Sequence, residues 1–91
     1  MATATSNQTV IGRIRAALES QQGLPISVVR WDIETGEDAS GHDAVWVWVV
    51  VETRPLARTW TDVIEQVRQT ASQAAGHDNP WVYVRCRLVS E

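Results

Sequence analysis

Apolar positions change their spacing several times along the chain. From Thr9 to about Gln22, Val10, Ile11, Ile14, Ala17 and Leu18 recur three and four apart. That spacing lines one stripe of a helix, and Arg13, Arg15, Glu19 and Gln22 fall mostly off it. Ser6 or Asn7 can accept from a first-turn N–H and start the helix; Gly23 and Pro25 stop it. Residues 1–8 then form a flexible tail ahead of a single domain spanning 9–91. Ile26–Thr35 switches to alternation, with Ser27, Val29, Trp31 and Ile33 on one face and Val28, Arg30, Asp32 and Glu34 on the other. The segment GEDASGHD, Gly36–Asp43, has two glycines and no large apolar side chain, as a hairpin loop requires.

The strongest strand signal is Ala44–Thr53. Val45, Val47, Val49 and Val51 point one way, and Trp46, Trp48, Val50 and Glu52 the other, until Arg54-Pro55 ends the ladder. From Leu56 to Ala75 the period returns to three and four, through Leu56, Trp60, Val63, Ile64, Val67, Ala71 and Ala74. Thr59 or Thr61 is an internal cap candidate, and Gly76 closes this second helix. Trp81–Val89 alternates again: Val82, Val84, Cys86 and Leu88 on one face, Trp81, Tyr83, Arg85 and Arg87 on the other.

The pattern predicts an α+β fold in the order α-β-β-α-β, with two helices on one face of a three-stranded antiparallel or mixed sheet and a ferredoxin-like or KH-like topology. A right-handed crossover through the second helix makes the last strand parallel to the middle one. Two helices shield one face only. The valine, cysteine and leucine side chains suit that face. Arg30, Trp46, Trp48, Trp81, Tyr83, Arg85 and Arg87 are left on the other as a candidate partner-binding surface, of the residue types enriched at binding hot spots. A one-residue slip of register is the alternative; it puts Trp46 and Trp48 in the core and turns the valines outward.

Composition narrows what such a surface meets. The chain has 91 residues and a formal charge of −3, and its eight cations are all arginine. A net acidic chain lacks the cationic footprint that duplex nucleic acid or an anionic membrane demands. The expected partner is first a second copy of the chain, as a homodimer, because a domain this small has a marginal core that a dimer interface supplements. A different protein comes second. Single-stranded nucleic acid, stacking on the aromatics, comes third, with Asp32, Glu34, Glu37, Asp38 and Asp43 acting against it.

Both histidines sit in a Gly-His-Asp tripeptide, one before each parallel strand. His42, Asp43, His77 and Asp78 therefore form a candidate metal-responsive site at one end of the sheet, with ordinary loop chemistry as the alternative. No GxSxG, Walker or GxGxxG motif occurs, and Cys86 reads as a small buried hydrophobe. Arg13, Arg15, Arg58 and Arg68 are interleaved with Glu19, Asp62 and Glu65 as a mixed-charge surface. These features lead to the expectation of a non-catalytic adaptor or assembly subunit without a cofactor. Met1–Gln8, MATATSNQ, has no cationic stretch and no apolar centre. The longest apolar run, Ala44–Val51, falls short of the ~20 residues a membrane helix needs, and a lone cysteine forms no internal disulfide. The expected setting is the cytoplasm, away from membranes.

Two families share the element order. With Ala74-Ala75-Gly76 near the end of its second helix, the chain resembles ribosome-binding factor A, a KH-like fold kinked at that place; the basic surface and the GxxG loop implied by that resemblance are absent. With Val28-Val29-Arg30-Trp31-Asp32, a glycine-containing turn and a valine-rich strand, it also resembles the cytoplasmic C-terminal domains of cation-efflux transporters. That resemblance implies dimerisation. Both likenesses cover about 80 residues in topology.

Overall fold

Helix α1 (Ala2–Ser20) crosses one face of a sheet made of β1 (Arg30–Glu37), β2 (Asp43–Val51) and β3 (Trp81–Leu88), and α2 (Ala57–Ala75) lies beside it on the same face. The computed structural model describes residues 2–76 and 80–90, with side chains from Thr9 onward. Strand order is β1-β2-β3. β1 runs antiparallel to β2, and β3 runs parallel to it. The fold is therefore α+β with a mixed three-stranded sheet.

The core follows the predicted periods. Val10, Ile14 and Leu18 from α1 and Val63, Val67, Ala71 and Ala75 from α2 are buried against Trp31, Ile33, Val45, Val47, Val49, Val51, Val82 and Val84. Spacing of four along each helix and two along each strand puts all of them in one layer. No register slip occurs: Trp46 pairs with Glu34 and Tyr83, and both β2 tryptophans lie on the face away from the helices. Cys86 and Leu88, half-buried, pack against the same core.

Several local expectations need correction. Helix α1 starts at Ala2, not Thr9, and runs through Ser6 and Asn7, so neither is its cap; nothing in Ala2–Gln8 breaks a helix. It also ends at Ser20, short of Gln22. Strand β1 starts at Arg30, because the chain bends at Val29 just as pairing begins through the Val29 N–H to the Val50 carbonyl, 2.7 Å. The bend breaks the alternation: Val28 packs against the core, while Val29 is 47% exposed. Leu56 is 78% exposed and not part of the α2 stripe. It is the N-cap residue in extended conformation, and its carbonyl takes the first helical bond, from Trp60. Thr61 is no cap either; its hydroxyl donates back to the Ala57 carbonyl at 3.1 Å.

The arginines of α1 tie elements together. Arg13 Nη2 donates to the Ala75 carbonyl at 3.2 Å, satisfying a last-turn acceptor of α2. Arg15 Nη1 donates to the Trp31 carbonyl at 3.2 Å and fastens α1 to the β1 edge. Among the described residues no helix is long and apolar enough to cross a membrane.

Candidate functional site: the open face of the sheet

The face of the sheet away from the helices is a grid of four rows across three strands. Its rows are Gly36–Ala44–Trp81, Glu34–Trp46–Tyr83, Asp32–Trp48–Arg85 and Arg30–Val50–Arg87. All seven candidate binding residues, Arg30, Trp46, Trp48, Trp81, Tyr83, Arg85 and Arg87, fall on this one grid. Strand alternation places them there, and no described element of the chain covers them.

These side chains form a layer of their own. Trp46 stacks on Tyr83 with ring centroids 5.6 Å apart and planes 18° from parallel. Its far ring edge reaches towards Gly36, where a β-carbon would sit 3.4 Å from Cζ3, at van der Waals contact. The Arg87 guanidinium carbon lies 4.2 Å from the centroid of the Trp48 ring, a cation–π contact. Asp32 holds two arginines at once, accepting from Arg30 Nε and from Arg87 Nη1, both at 3.1 Å. Val50 is fully buried although it belongs to this face and lies outside the main core. Its row neighbours are Arg30 and Arg87. The Trp48 indole N–H is enclosed without an acceptor among the described residues.

The upper end of the face is pinned by the β1–β2 hairpin loop. Asp38 organises it: one carboxylate oxygen accepts from the backbone N–H groups of Ser40 and His42 at 2.9 and 3.0 Å. Backbone bonds from Asp38 to the His42 carbonyl and from Gly41 to the Asp38 carbonyl close the turn, with Gly41 at φ +83°. The second carboxylate oxygen accepts from the Tyr83 hydroxyl at 3.1 Å, joining the loop to β3. The His42 N–H, then those of Ser40 and the Tyr83 hydroxyl, hold the Asp38 carboxyl below its ordinary range, against an opposing effect of burial. Burial first, then the bond to Asp38 and its charge, push the Tyr83 phenol up, against the opposing charge of Arg85.

Two corners of the grid differ sharply. Trp81 is 61% exposed, touched edge-on by His42 at a centroid distance of 6.4 Å. At the opposite end of the same row, Gly36 and Ala44 present almost no side chain. Along the columns, β1 contributes Arg30, Asp32 and Glu34, while β3 contributes Arg85 and Arg87. Glu34 and Arg85 are exposed, and no ion pair holds either among the described residues.

Of the proposed metal-binding residues, His42 and Asp43 lie at the loop end of β2, both exposed. His42 Nδ1 stands 3.9 Å from Asp38 Oδ1. Pairing of Ala44 with Trp81 brings the starts of β2 and β3 together, as that reading requires. His77 and Asp78 themselves lie outside the described residues. Among the described residues no group of three His, Cys, Asp or Glu side chains is placed to hold a metal ion. Strand alternation already put Asp32 and Val50 on this face without giving either a role, and sequence reasoning missed Asp38. The Asp38 signal was available in principle, as an aspartate two residues before a serine and three before a glycine in a turn-rich stretch. The link from Asp38 to Tyr83 spans 45 positions and has no local signature.

A surface groove of about 740 Å³ lies elsewhere, at the far end of the sheet between Ile26, Val28, Val29, Pro55, Leu56 and Thr59. No protein-family model, curated protein or solved structure matches the chain.

Proposed function

We propose that this chain is a non-catalytic interaction or assembly module of the cytoplasm that works through the open face of its sheet, docking first of all a second copy of itself. One observation carries the reading: Trp46, Trp48, Tyr83 and the 61% exposed Trp81 lie together on a face that no described element of the chain covers. Large flat side chains pre-stacked on a rigid sheet lose little conformational freedom on binding, and tryptophan, tyrosine and arginine supply most hot-spot energy. Asp32, tying Arg30 to Arg87, holds the charged border in place before any partner arrives. A KH-like or ferredoxin-like topology is part of the proposal, supported by the element order and the parallel β2–β3 pair.

Light scattering across a dilution series tests it, with the wild type, Trp46→Ser and Tyr83→Ser side by side. The expected result is a concentration-dependent dimer for the wild type and a shift towards monomer for either variant, with circular dichroism unchanged. A wild type that stays monomeric at every concentration overturns self-association. If that monomer binds short single-stranded oligonucleotides in a salt-dependent way, the face is a base-stacking platform instead.

A further inference from the structure

We infer that the second copy docks with the dimer two-fold axis running along β2, so that β1 of each subunit lies over β3 of the other. The inference rests on the self-association reading above and adds the orientation.

Two sheets packing face to face in the aligned manner keep their strands within about 30° of each other, at about 10 Å separation. A two-fold dimer of this kind has two aligned arrangements. With the axis across the strands, β1 lies over its own copy and β3 over its own copy. The rows then run in opposite directions, so Asp32 meets the other copy's Glu34, Arg85 and Arg87 meet Tyr83 and Trp81, and each column lies over one of its own net charge, with no carboxylate opposite Arg85. With the axis along β2, the β1 column, which carries Arg30, Asp32 and Glu34, meets the β3 column, which carries Arg85 and Arg87. The first column sums to −1 and the second to +2, so the columns attract. In this arrangement Asp32 comes opposite Arg85 of the other copy, with Glu34 one row away. Glu34 and Arg85 are the two exposed charges on the face that no ion pair occupies among the described residues. Arg30 then lies over the other copy's Arg87, and each of these is already drawn to Asp32 within its own subunit.

Shape gives the same answer independently of charge. In the row Gly36–Ala44–Trp81 one end is nearly flat and the other projects an indole that is 61% exposed. The axis along β2 sets the tall corner of each copy over the low corner of the other, where the Trp46 ring edge beside Gly36 forms an apolar floor. The axis across the strands puts no tall corner over a low one in the same row. With the axis along β2 the central column meets itself, Trp46 near Trp46 and Trp48 near Trp48, and closes the interface with its apolar stripe.

Charge reversal tests the orientation. Glu34→Arg and Arg85→Glu are both at exposed positions, so the fold tolerates each, which circular dichroism checks. In the proposed dimer either single change places like charges against each other twice, once at each symmetry-related contact, and weakens association by about tenfold or more. The double variant recovers part of it, Asp32 staying acidic. Mixing the two single variants recovers more. One contact then sets the introduced arginine one row from the introduced glutamate, and the other is native, with Asp32 opposite Arg85 and Glu34 one row away. Sedimentation equilibrium of the mixture reads this. If the wild type dimerises and the single variants match it, or if they weaken without rescue by the double variant and by mixing, the orientation is wrong while the docking face stands. A monomeric wild type removes both.

Discussion

The two faces of this sheet are made from the same three strands and are both apolar at their centre, yet they are built differently. The covered face is aliphatic. Val47 and Val49 are fully enclosed, and Ile14, Val63, Val67 and Ala71 meet them from the helices with no exposure at all. The open face is aromatic and charged; Trp46, Trp48 and Tyr83 on it are partly exposed, Trp81 is exposed, and Val50 is buried. The first face gains free energy by removing aliphatic area from water and filling space. The second is organised by stacking, a cation–π contact and a shared carboxylate, all within one layer. Val45, Val47, Val49 and Val51 of β2 lie in the covered layer, and the register keeps the broader Trp46 and Trp48 on the open side.

That difference predicts a difference in what mutations do. The largest effect belongs to the covered face: Ile14→Ala, at a side chain with no exposure, removes buried methylenes and leaves a cavity. It is expected to cost about 2–5 kcal/mol by urea unfolding, a large share of the stability of a domain this size. Trp81→Ala on the open face inverts the pattern. Its unfolding free energy should stay within about 0.5 kcal/mol of wild type, while the dimer dissociation constant should rise by about tenfold or more in sedimentation equilibrium. A Trp81→Ala variant that melts like Ile14→Ala would erase the distinction between the faces.

Gly41→Ala probes the loop that borders the open face. Its φ of +83° is a conformation that a β-carbon opposes, so a loss of about 1 kcal/mol is expected in the same unfolding assay. The smallest effect is one of pH. Asp38 is held below its ordinary 3.8, so its contribution to stability is complete above that value and is lost as the pH falls below it, through the lower folded-state value. Tyr83 is raised above its ordinary 10.0; its contribution is present below that value and fades as the pH rises through the folded-state value. Tyr83 is the one tyrosine in the chain, so its ionisation can be followed by near-ultraviolet absorbance. In Asp38→Asn the phenol is expected to titrate at lower pH than in wild type. An unchanged titration would mean that the loop does not hold β3 as described.

Much of this was legible in the sequence because it follows from period. Alternation in Ala44–Val51 and Trp81–Leu88 assigns every residue of β2 and β3 to a face without reference to any other part of the chain, and six of the seven grid residues follow from it; Arg30 follows from the alternation of β1. The same reasoning fails at Val28 and Val29, because a bend resets the alternation and nothing local announces it. It fails at Leu56 because a capping residue looks like the start of an apolar stripe until the first helical bond is placed. The roles of Arg13, Arg15, Asp32 and Asp38 were hidden for another reason. Each depends on a partner brought near by folding, as in the 62-position gap between Arg13 and Ala75.

The claim on which the rest depends is that the tryptophan-bearing side of the sheet is where a second copy of the chain sits. The most direct measurement is the mass of the wild-type chain by sedimentation equilibrium over a wide dilution range. The account predicts a reversible passage between one and two copies, and a constant single-chain mass throughout would contradict it.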